Sequence, residues 1–486
     1  MKGSTDPSIV IVGSGFSGLC MAIKLKQAGH DDFVILEKAH DLGGTWRENT
    51  YPGCACDVQS HLYSYSFEPN PGWSRMFSPQ PEIREYLRHC ATKYGVDGHV
   101  RYGQEVTGAE YDDRARTWRV DLRDGAPIVC RALVFGLGPL HVPSIPEIPG
   151  LERFAGRTFH SAEWDHSVDL RGKKVAVVGT GASAIQFVPA IAPEVGHLDL
   201  YQRTPPWIMP KPDREISARE RDLFARFPAT QRAWRHAIYW INESRIPGFT
   251  NPRLMKLAQR MPVRHIHKQV KDPELRRKVT PDHTMGCKRT LLSDDYYPAL
   301  TRDNVDVITD GIAEITETSV ITKDGREHEA DVIIFGTGFH VTDALDGMRL
   351  TGRGGVKLSE KWSDGMSAYL GTAISGFPNL FLLIGPNTGL GHSSMIFMIE
   401  AQVHYIIDCL RLLSRTKATA LDVRPQVHDA FNQDVQNRLS GTVWDSGCTS
   451  WYLDPNGKNT TVWPGFTWRF WLQTRRARVA DYELLH

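Results

Sequence analysis

Short β-branched runs alternate along this chain with stretches whose apolar residues recur at helical spacing, and the alternation occurs twice. Ser8-Ile9-Val10-Ile11-Val12 is a run suited to a buried parallel strand. Behind it Leu19, Ala22, Ile23 and Leu25 fall at near-helical spacing up to a Gly29 stop, and Phe33-Val34-Ile35-Leu36 gives a second strand. The same unit returns at Lys174-Val175-Ala176-Val177-Val178, with His197-Leu198-Asp199-Leu200-Tyr201-Gln202 as its second strand. Strand–helix–strand units of this kind predict an α/β fold with parallel sheets.

The turns between these elements carry the chemistry. After the first strand comes Gly13-Ser14-Gly15-Phe16-Ser17-Gly18. In a dinucleotide-binding turn the first glycine permits the tight bend, the second lets backbone approach a pyrophosphate, and the third lets helix pack on strand. The helix N-terminus then offers N–H groups and partial positive charge to the phosphates. Glu37 closes the second strand where a ribose-binding carboxylate belongs. In the second unit Gly179-Thr180-Gly181-Ala182-Ser183-Ala184 replaces the last glycine by alanine, which the fingerprint allows. There the second strand runs into Arg203-Thr204 in place of an acid. A guanidinium suits a ribose 2′-phosphate, which a carboxylate would repel. The first site therefore reads as FAD or NAD and the second as NADPH, and Lys288-Arg289 adds positive charge if the fold brings it near.

Ala132-Leu133-Val134-Phe135-Gly136-Leu137-Gly138 resembles Asp331-Val332-Ile333-Ile334-Phe335-Gly336-Thr337-Gly338. The symmetry predicts an NADPH domain inserted into an FAD domain, with two chain crossings near these glycines. The expected division is an FAD-binding first part over 1–140, an NADPH-binding domain over 141–335 and a second FAD part over 336–486. A helical insertion, rich in Arg, Trp, His and Lys, is expected at about 213–285. Pro143, Pro146 and Pro149 stiffen the first crossing.

Composition narrows the rest. A chain of 486 residues is too long for one ordinary core. With 41% hydrophobic and 23% charged residues it has a soluble globular profile. A net charge of +1 gives no electrostatic footprint for nucleic acid or an anionic membrane surface. No apolar run approaches the roughly 18 residues of a spanning helix, and the polar start at Met1–Pro7 holds no secretory core. A cytoplasmic protein without stable membrane insertion is expected, and its oligomeric state is unknown from sequence. The eight cysteines are scattered with no CxxC pair. Cys54 and Cys56 are poorly spaced for a disulfide or zinc, so the cysteines read as small packed residues. His265-Ile266-His267, without acidic or cysteine partners nearby, reads as a solvated turn or helix surface. No metal is expected.

Two longer motifs give the chain a family resemblance over nearly its whole length. Phe154, Gly156, His160, Trp164 and Asp165 match FxGxxxHxxxW(P/D). Gly43, Gly44, Trp46, Tyr51, Pro52, Gly53 and Asp57 match (A/G)GxWxxxx(F/Y)P(G/M)xxxD. The sequence thereby resembles the type I Baeyer–Villiger monooxygenases, class B flavoproteins; Gly336-Thr337-Gly338 departs mildly from their usual ATG. The resemblance implies two Rossmann-like domains with a helical insertion, and FAD and NADPH as cofactors. It implies that Thr45, Trp46, Asp57 and Tyr63 lie along the flavin, with Val106 and Met395 also in the cofactor-contacting set. Arg289 matches the active-site arginine, Lys288 a neighbour that helps hold the NADPH phosphate, and Trp451 an aromatic that closes over the nicotinamide. Gly389–Met395 matches a loop bordering the substrate pocket. His160 and Trp164 belong to the linker between domains and not to the chemistry.

The implied reaction consumes NADPH and O2 and converts a ketone to an ester or lactone through a flavin C4a-peroxide. Arg289 suits the fixed cation beside that anion, because a guanidinium stays protonated at any working pH. Asp57 holds Arg289 and tunes its charge. The alternative is a flavin monooxygenase oxidising nitrogen or sulfur. A dithiol–disulfide reductase would need redox cysteines at workable spacing, which Cys54-Ala55-Cys56 does not supply. A flavin-bound sensor or scaffold would leave the NADPH-type site without purpose.

Overall fold

The computed structural model describes residues 7–341, 345 and 347–486; the polar start at 1–6 lies outside them. The first unit is a five-stranded sheet. Its strands are β1 (Ile9–Val12), β2 (Phe33–Leu36), β3 (Val100–Arg101) and β4 (Ala132–Phe135), with a late strand at Leu380–Leu382. All neighbours are parallel, and β1 lies between β2 and β4 with Ile9 facing Phe33 and Ala132. Both faces are covered, so β1, β2 and β4 are buried at every position, as their unbroken apolar runs require. α1 (Phe16–Gln27) packs on one face. On the other lies a mixed sheet, antiparallel through Val106–Asp112, Thr117–Leu122 and Ile128–Cys130 with Arg349–Thr351 added parallel to the first, which the sequence pattern did not announce.

The second unit repeats the plan. β5 (Arg157–His160), β6 (Lys174–Val178), β7 (His197–Tyr201), β8 (Val305–Ile308) and β9 (Val332–Phe335) form a five-stranded parallel sheet in the order β8-β7-β6-β9-β5. α2 (Ala184–Ile191) follows its turn. Helices from Ala218–Arg226 through Pro273–Val279 fill the region expected to be a helical insertion.

The symmetry of the two GxG turns has a physical counterpart. Gly136 N–H donates to Val12 and Gly336 N–H donates to Val178, each at 2.8 Å. A Cβ on Gly13 would fall 2.8 Å from the Gly136 carbonyl oxygen, and one on Gly179 would fall 2.6 Å from that of Gly336. Gly13 and Gly179 also hold φ of +96° and +104°, which a side chain resists. Beyond these turns the chain crosses twice between the units, and the crossings bond to one another: Ser144 N–H to Gly338, and His340 N–H to Val142, both at 2.9 Å. His160, fully buried, sets its ring edge-on to Phe339 of the second crossing at 5.4 Å. Burial holds its pKa down at about 4, so it stays neutral there. Trp164 packs on Phe159 and Phe187.

Two readings of single residues need correction. Cys287 and Cys448 form a disulfide with Cα atoms 6.1 Å apart, within the range such a bond spans. The remaining six cysteines are buried thiols, as expected of packed residues. The two partners lie 161 residues apart, so local spacing could not reveal them. His265 is buried on the helix Arg260–Gln269, its Nε2 within 2.9 Å of the Ser293 carbonyl oxygen, whereas His267 faces solvent.

Candidate active site

At the first turn Gly15 caps α1 without a side-chain hydrogen bond, and no acidic residue lies in the first helical turn. Ser17 and Gly18 are buried within that turn. Gly44 approaches Gly15 so closely that a Cβ on it would come within 3.1 Å of the Gly15 Cα. The two glycines thus leave bare backbone around free helix N–H groups, which is what a pyrophosphate requires. Glu37, at the end of β2, accepts from Ser14 N at 2.9 Å, Ser14 Oγ at 2.7 Å and Ala39 N at 3.0 Å. Burial alone would raise its pKa, but these bonds and the Arg47 charge hold it below the usual carboxylate range. These residues fit the pyrophosphate and ribose of FAD.

Four of the residues expected along the flavin, Thr45, Trp46, Asp57 and Tyr63, come from one segment. Thr45 opens a short helix that carries Trp46, and Trp46 Nε1 donates to Tyr63 OH at 3.0 Å. Tyr63 in turn stands edge-on to Phe16 of α1 at 5.2 Å, which ties the loop to the first nucleotide turn. Val106 is buried at the start of the mixed sheet, just after Gln104, whose N–H bonds the Glu37 carbonyl. Met395 begins the long helix Met395–Thr416, which Ser394 caps.

At the second turn α2 starts at Ala184, two positions later in the fingerprint than α1. This accounts for alanine there. A Cβ at Gly18 would lie 1.8 Å from the Gly13 carbonyl oxygen, whereas the later start of α2 gives Ala184 room. Gly181 and Ser183 lead into it with no side-chain cap and no acid in the first turn. Thr180 Oγ1 donates to the Thr204 carbonyl at 3.2 Å, fixing the turn against the bend after β7 that carries Arg203. The fold does bring Lys288 to Arg203. The Lys288 pKa is lowered, first by burial and then by the Arg203 charge. Two cations held together fit the 2′-phosphate of NADPH.

Between the units Arg289 meets Asp57. Its Nε donates to Asp57 Oδ2 at 3.0 Å, Nη2 donates to the same oxygen, and Nη1 reaches the Leu390 carbonyl at 3.5 Å. The Asp57 charge is the main reason the Arg289 pKa rises above its already high value. Arg289 and Asp57 side chains keep 31% and 34% of their surface open, so the pair has a free face. Tyr452 is buried close by, its pKa pushed up to about 12 by burial. Trp451 beside it is exposed on its loop, with its ring centroid 4.4 Å from that of Tyr452, and is not a core residue.

Other positioning residues gave no local signal. Gln186 on α2 reaches the flavin-side loop, accepting from Ala55 N at 2.9 Å and donating to Tyr51 OH at 3.2 Å. Glu243, from the helical insertion, is buried with His392 of the Gly389–Met395 loop at 3.1 Å and accepts from Thr467 N at 2.9 Å and Thr467 Oγ1 at 2.8 Å. These bonds fasten the loop whose Leu390 carbonyl touches Arg289. His197, Asp199 and Asp306 form one acidic group of metal-ligand type in the second sheet, but His197 pairs with both carboxylates.

Known proteins share this fold. Residues 7–345 match the flavin-binding monooxygenase-like family. A Baeyer–Villiger monooxygenase of Pseudomonas aeruginosa is 54% identical over 98% of this chain and 91% of its own length. One from Streptomyces coelicolor is 49% identical over 98% and 92%. Among solved structures, an oxidised steroid monooxygenase bound to NADP superimposes with a TM-score of 0.89 at 28% identity, covering 99% of this chain and all of the other. The cyclohexanone monooxygenase of Rhodococcus sp. Phi1 bound to NADP+ gives 0.87 at 28% identity, covering 99% of each. The chain belongs to the flavin-binding monooxygenase-like family. It is an NADPH-dependent flavoprotein monooxygenase of the Baeyer–Villiger type, and its cofactors are FAD and NADP. No helix among the described residues is long and apolar enough to cross a membrane.

Proposed function

We propose that the enzyme converts a small-molecule ketone to an ester or lactone with Arg289 as the catalytic cation. The observation that carries this reading is the Arg289–Asp57 pair, drawn from segments 232 residues apart and left with an open face. FAD, when bound, takes hydride from NADPH and activates O2 for attack on the carbonyl. The protein does the rest. N–H groups at Gly15 and the start of α1 hold one pyrophosphate, and Glu37 takes the ribose. Thr45, Trp46, Tyr63, Val106 and Met395 line the flavin. Gly179, Gly181 and Ser183 hold the second pyrophosphate, Thr180 and Thr204 shape its turn, and Arg203 with Lys288 takes the 2′-phosphate. On this reading 1–140 and 336–486 serve FAD and 141–335 serve NADPH.

Asp57 fixes the guanidinium plane, so no reorganisation is needed when negative charge develops on oxygen. Charge-assisted N–H donors there stabilise that oxygen most where water is excluded. Trp451 and the Gly389–Met395 loop supply the cover. The test is Arg289→Ala in the holoenzyme. NADPH still bleaches the flavin, ester formation falls roughly 10²–10³-fold, and hydrogen peroxide accumulates. Ester formation at a near-normal rate overturns the assignment.

A further inference from the structure

We propose that the Cys287–Cys448 pair is a thiol-reactive modification site, a latch that small dithiols open and hydrogen peroxide closes, and that its state sets how tightly the enzyme keeps NADP+. The inference rests on the roles given above to Lys288, Arg289 and Trp451.

The bond joins two loops at their functional ends. Cys287 directly precedes Lys288 and Arg289, and Cys448 lies three residues before Trp451. An extended chain reaches at most about 3.6 Å per residue. With its Cα 6.1 Å from that of Cys287, Cys448 therefore keeps Trp451 on a leash of about 11 Å. From the other side Trp451 is held by its neighbour Tyr452, one Cα step of about 3.8 Å away, with the two rings 4.4 Å apart, so what the bond fixes is how residues 445–450 lead into it. Trp444 is buried and stacked on Phe249 at 5.4 Å, and Tyr452 is buried beside Arg289. Between these anchors residues 445–451 are exposed or half-buried, and Gly447 holds a φ of +81°. The disulfide is the one covalent restraint inside that run. Cutting it frees residues 445–450, which lead into Trp451, and leaves both anchors in place.

The sulfurs differ in access. Cys287 is 2% exposed, whereas Cys448 is half-buried. A thiolate therefore attacks Cys448 Sγ, the S–S bond breaks, and Cys287 leaves as a thiolate next in sequence to two cations, which favour a thiolate leaving group. The second thiol of the dithiol then displaces Cys448 from the mixed disulfide. The dithiol ends as a disulfide, and its two protons end on the two cysteines. In the reverse sense peroxide converts the Cys448 thiol to a sulfenic acid with loss of one water. The Cys287 thiol displaces the second water and the bond re-forms. The other cysteines do not compete. All six are buried, and burial pushes the thiols of Cys20, Cys54, Cys56, Cys90 and Cys409 upward, out of the reactive range.

The test uses the FAD-loaded enzyme. Denatured after air oxidation it should titrate six thiols, and eight after dithiothreitol and desalting. NADP+ titrated against the flavin absorbance should bind roughly five-fold or more weakly to the reduced form. Cys448→Ser should bind like the reduced form with or without dithiothreitol. Eight thiols in the air-oxidised protein, or equal NADP+ affinity in the two states, overturns the latch. If Cys448→Ser fails to fold, the wild-type pair of states decides alone. Ester formation by the oxidised enzyme is scored separately. Its absence alongside dithiol-dependent NADP+ affinity sinks the ketone reading and leaves the latch standing, and the converse sinks the latch.

Discussion

Gln186 and Ala55 join the two nucleotide units directly: the Ala55 N–H donates to Gln186 Oε1 at 2.9 Å, so α2 of the second unit grips the loop that carries Asp57. The same amide donates to Tyr51 OH. Gln186→Leu removes both bonds. We expect a loss of about 1–3 kcal/mol in stability and a lower ester yield per NADPH consumed, measured by urea unfolding and by product-to-NADPH ratio. An unchanged ratio would show that the grip does not align the two halves of the site.

Arg203 and Lys288, if they hold the 2′-phosphate as proposed, set coenzyme choice. Arg203→Ala should weaken NADPH binding by about 1.5–3 kcal/mol, the worth of a charge-assisted hydrogen bond, and leave NADH nearly untouched. The pH dependence follows from Lys288. Its lowered pKa means that it loses its proton, and with it the phosphate contact, earlier as pH rises. NADPH affinity should therefore decline on the alkaline side. Removing the Arg203 charge relieves one cause of the shift, so in Arg203→Ala that decline should move to higher pH. Kd measured across pH for both proteins checks the direction.

Arg289 behaves in the opposite sense. Asp57 raises its pKa, so its charge persists throughout the working range and contributes no alkaline limb. Arg289→Lys substitutes a group with an ordinary pKa of about 10.4. Any residual ester formation in that variant should fall away on the alkaline side where the wild type does not. Parallel pH–rate profiles would remove the guanidinium from the reaction.

The glycine and alanine at matched fingerprint positions should not tolerate exchange equally. Gly18→Ala drives a Cβ to 1.8 Å from the Gly13 carbonyl oxygen, a backbone atom that cannot step aside. The variant should lose FAD or fail to fold, seen as flavin content after purification. Ala184→Gly only loosens a helix start, at a cost of about 0.5–1 kcal/mol. An FAD-replete Gly18→Ala protein would contradict the packing argument.

Glu243 is the anchor of the helical insertion. Glu243→Leu strands His392 Nε2 and the Thr467 N–H in the interior, while the Thr467 hydroxyl keeps Tyr239 OH at 3.0 Å, which should cost at least about 2 kcal/mol. It should also loosen the Gly389–Met395 loop and shift the range of ketones accepted. A thermal melt and a substrate panel test both halves of that statement.

What the sequence discloses follows the reach of each interaction. Phosphate turns are local, so the glycines, Glu37 and Arg203 stand in order along the chain. The nearness of Lys288 to Arg203 is conditional on folding and could be stated only as such. Gln186 with Ala55, Glu243 with His392, and Cys287 with Cys448 are pairs made by tertiary structure. Each member alone is an unremarkable residue type on a helix or loop. The mixed sheet over β1 was equally silent, because its strands interleave exposed positions with buried ones and present no unbroken apolar run. His265 misled because a histidine with no acidic or cysteine partner beside it in sequence looks solvated until the Ser293 carbonyl is in place.

The two crossings near Gly138 and Gly338 decide how the units can move. A body held by one strand is free to turn about any axis. Held by two strands that bond to each other through Ser144 and His340, and by the Cys287–Cys448 bond as a third link while it is closed, it resists twisting about the ribbon and yields mainly by flexing across it. Rocking of one unit against the other is thereby narrowed toward a single coordinate. On that path Arg203 and Lys288 would sweep an arc past the flavin-side loop, as a door does past its jamb.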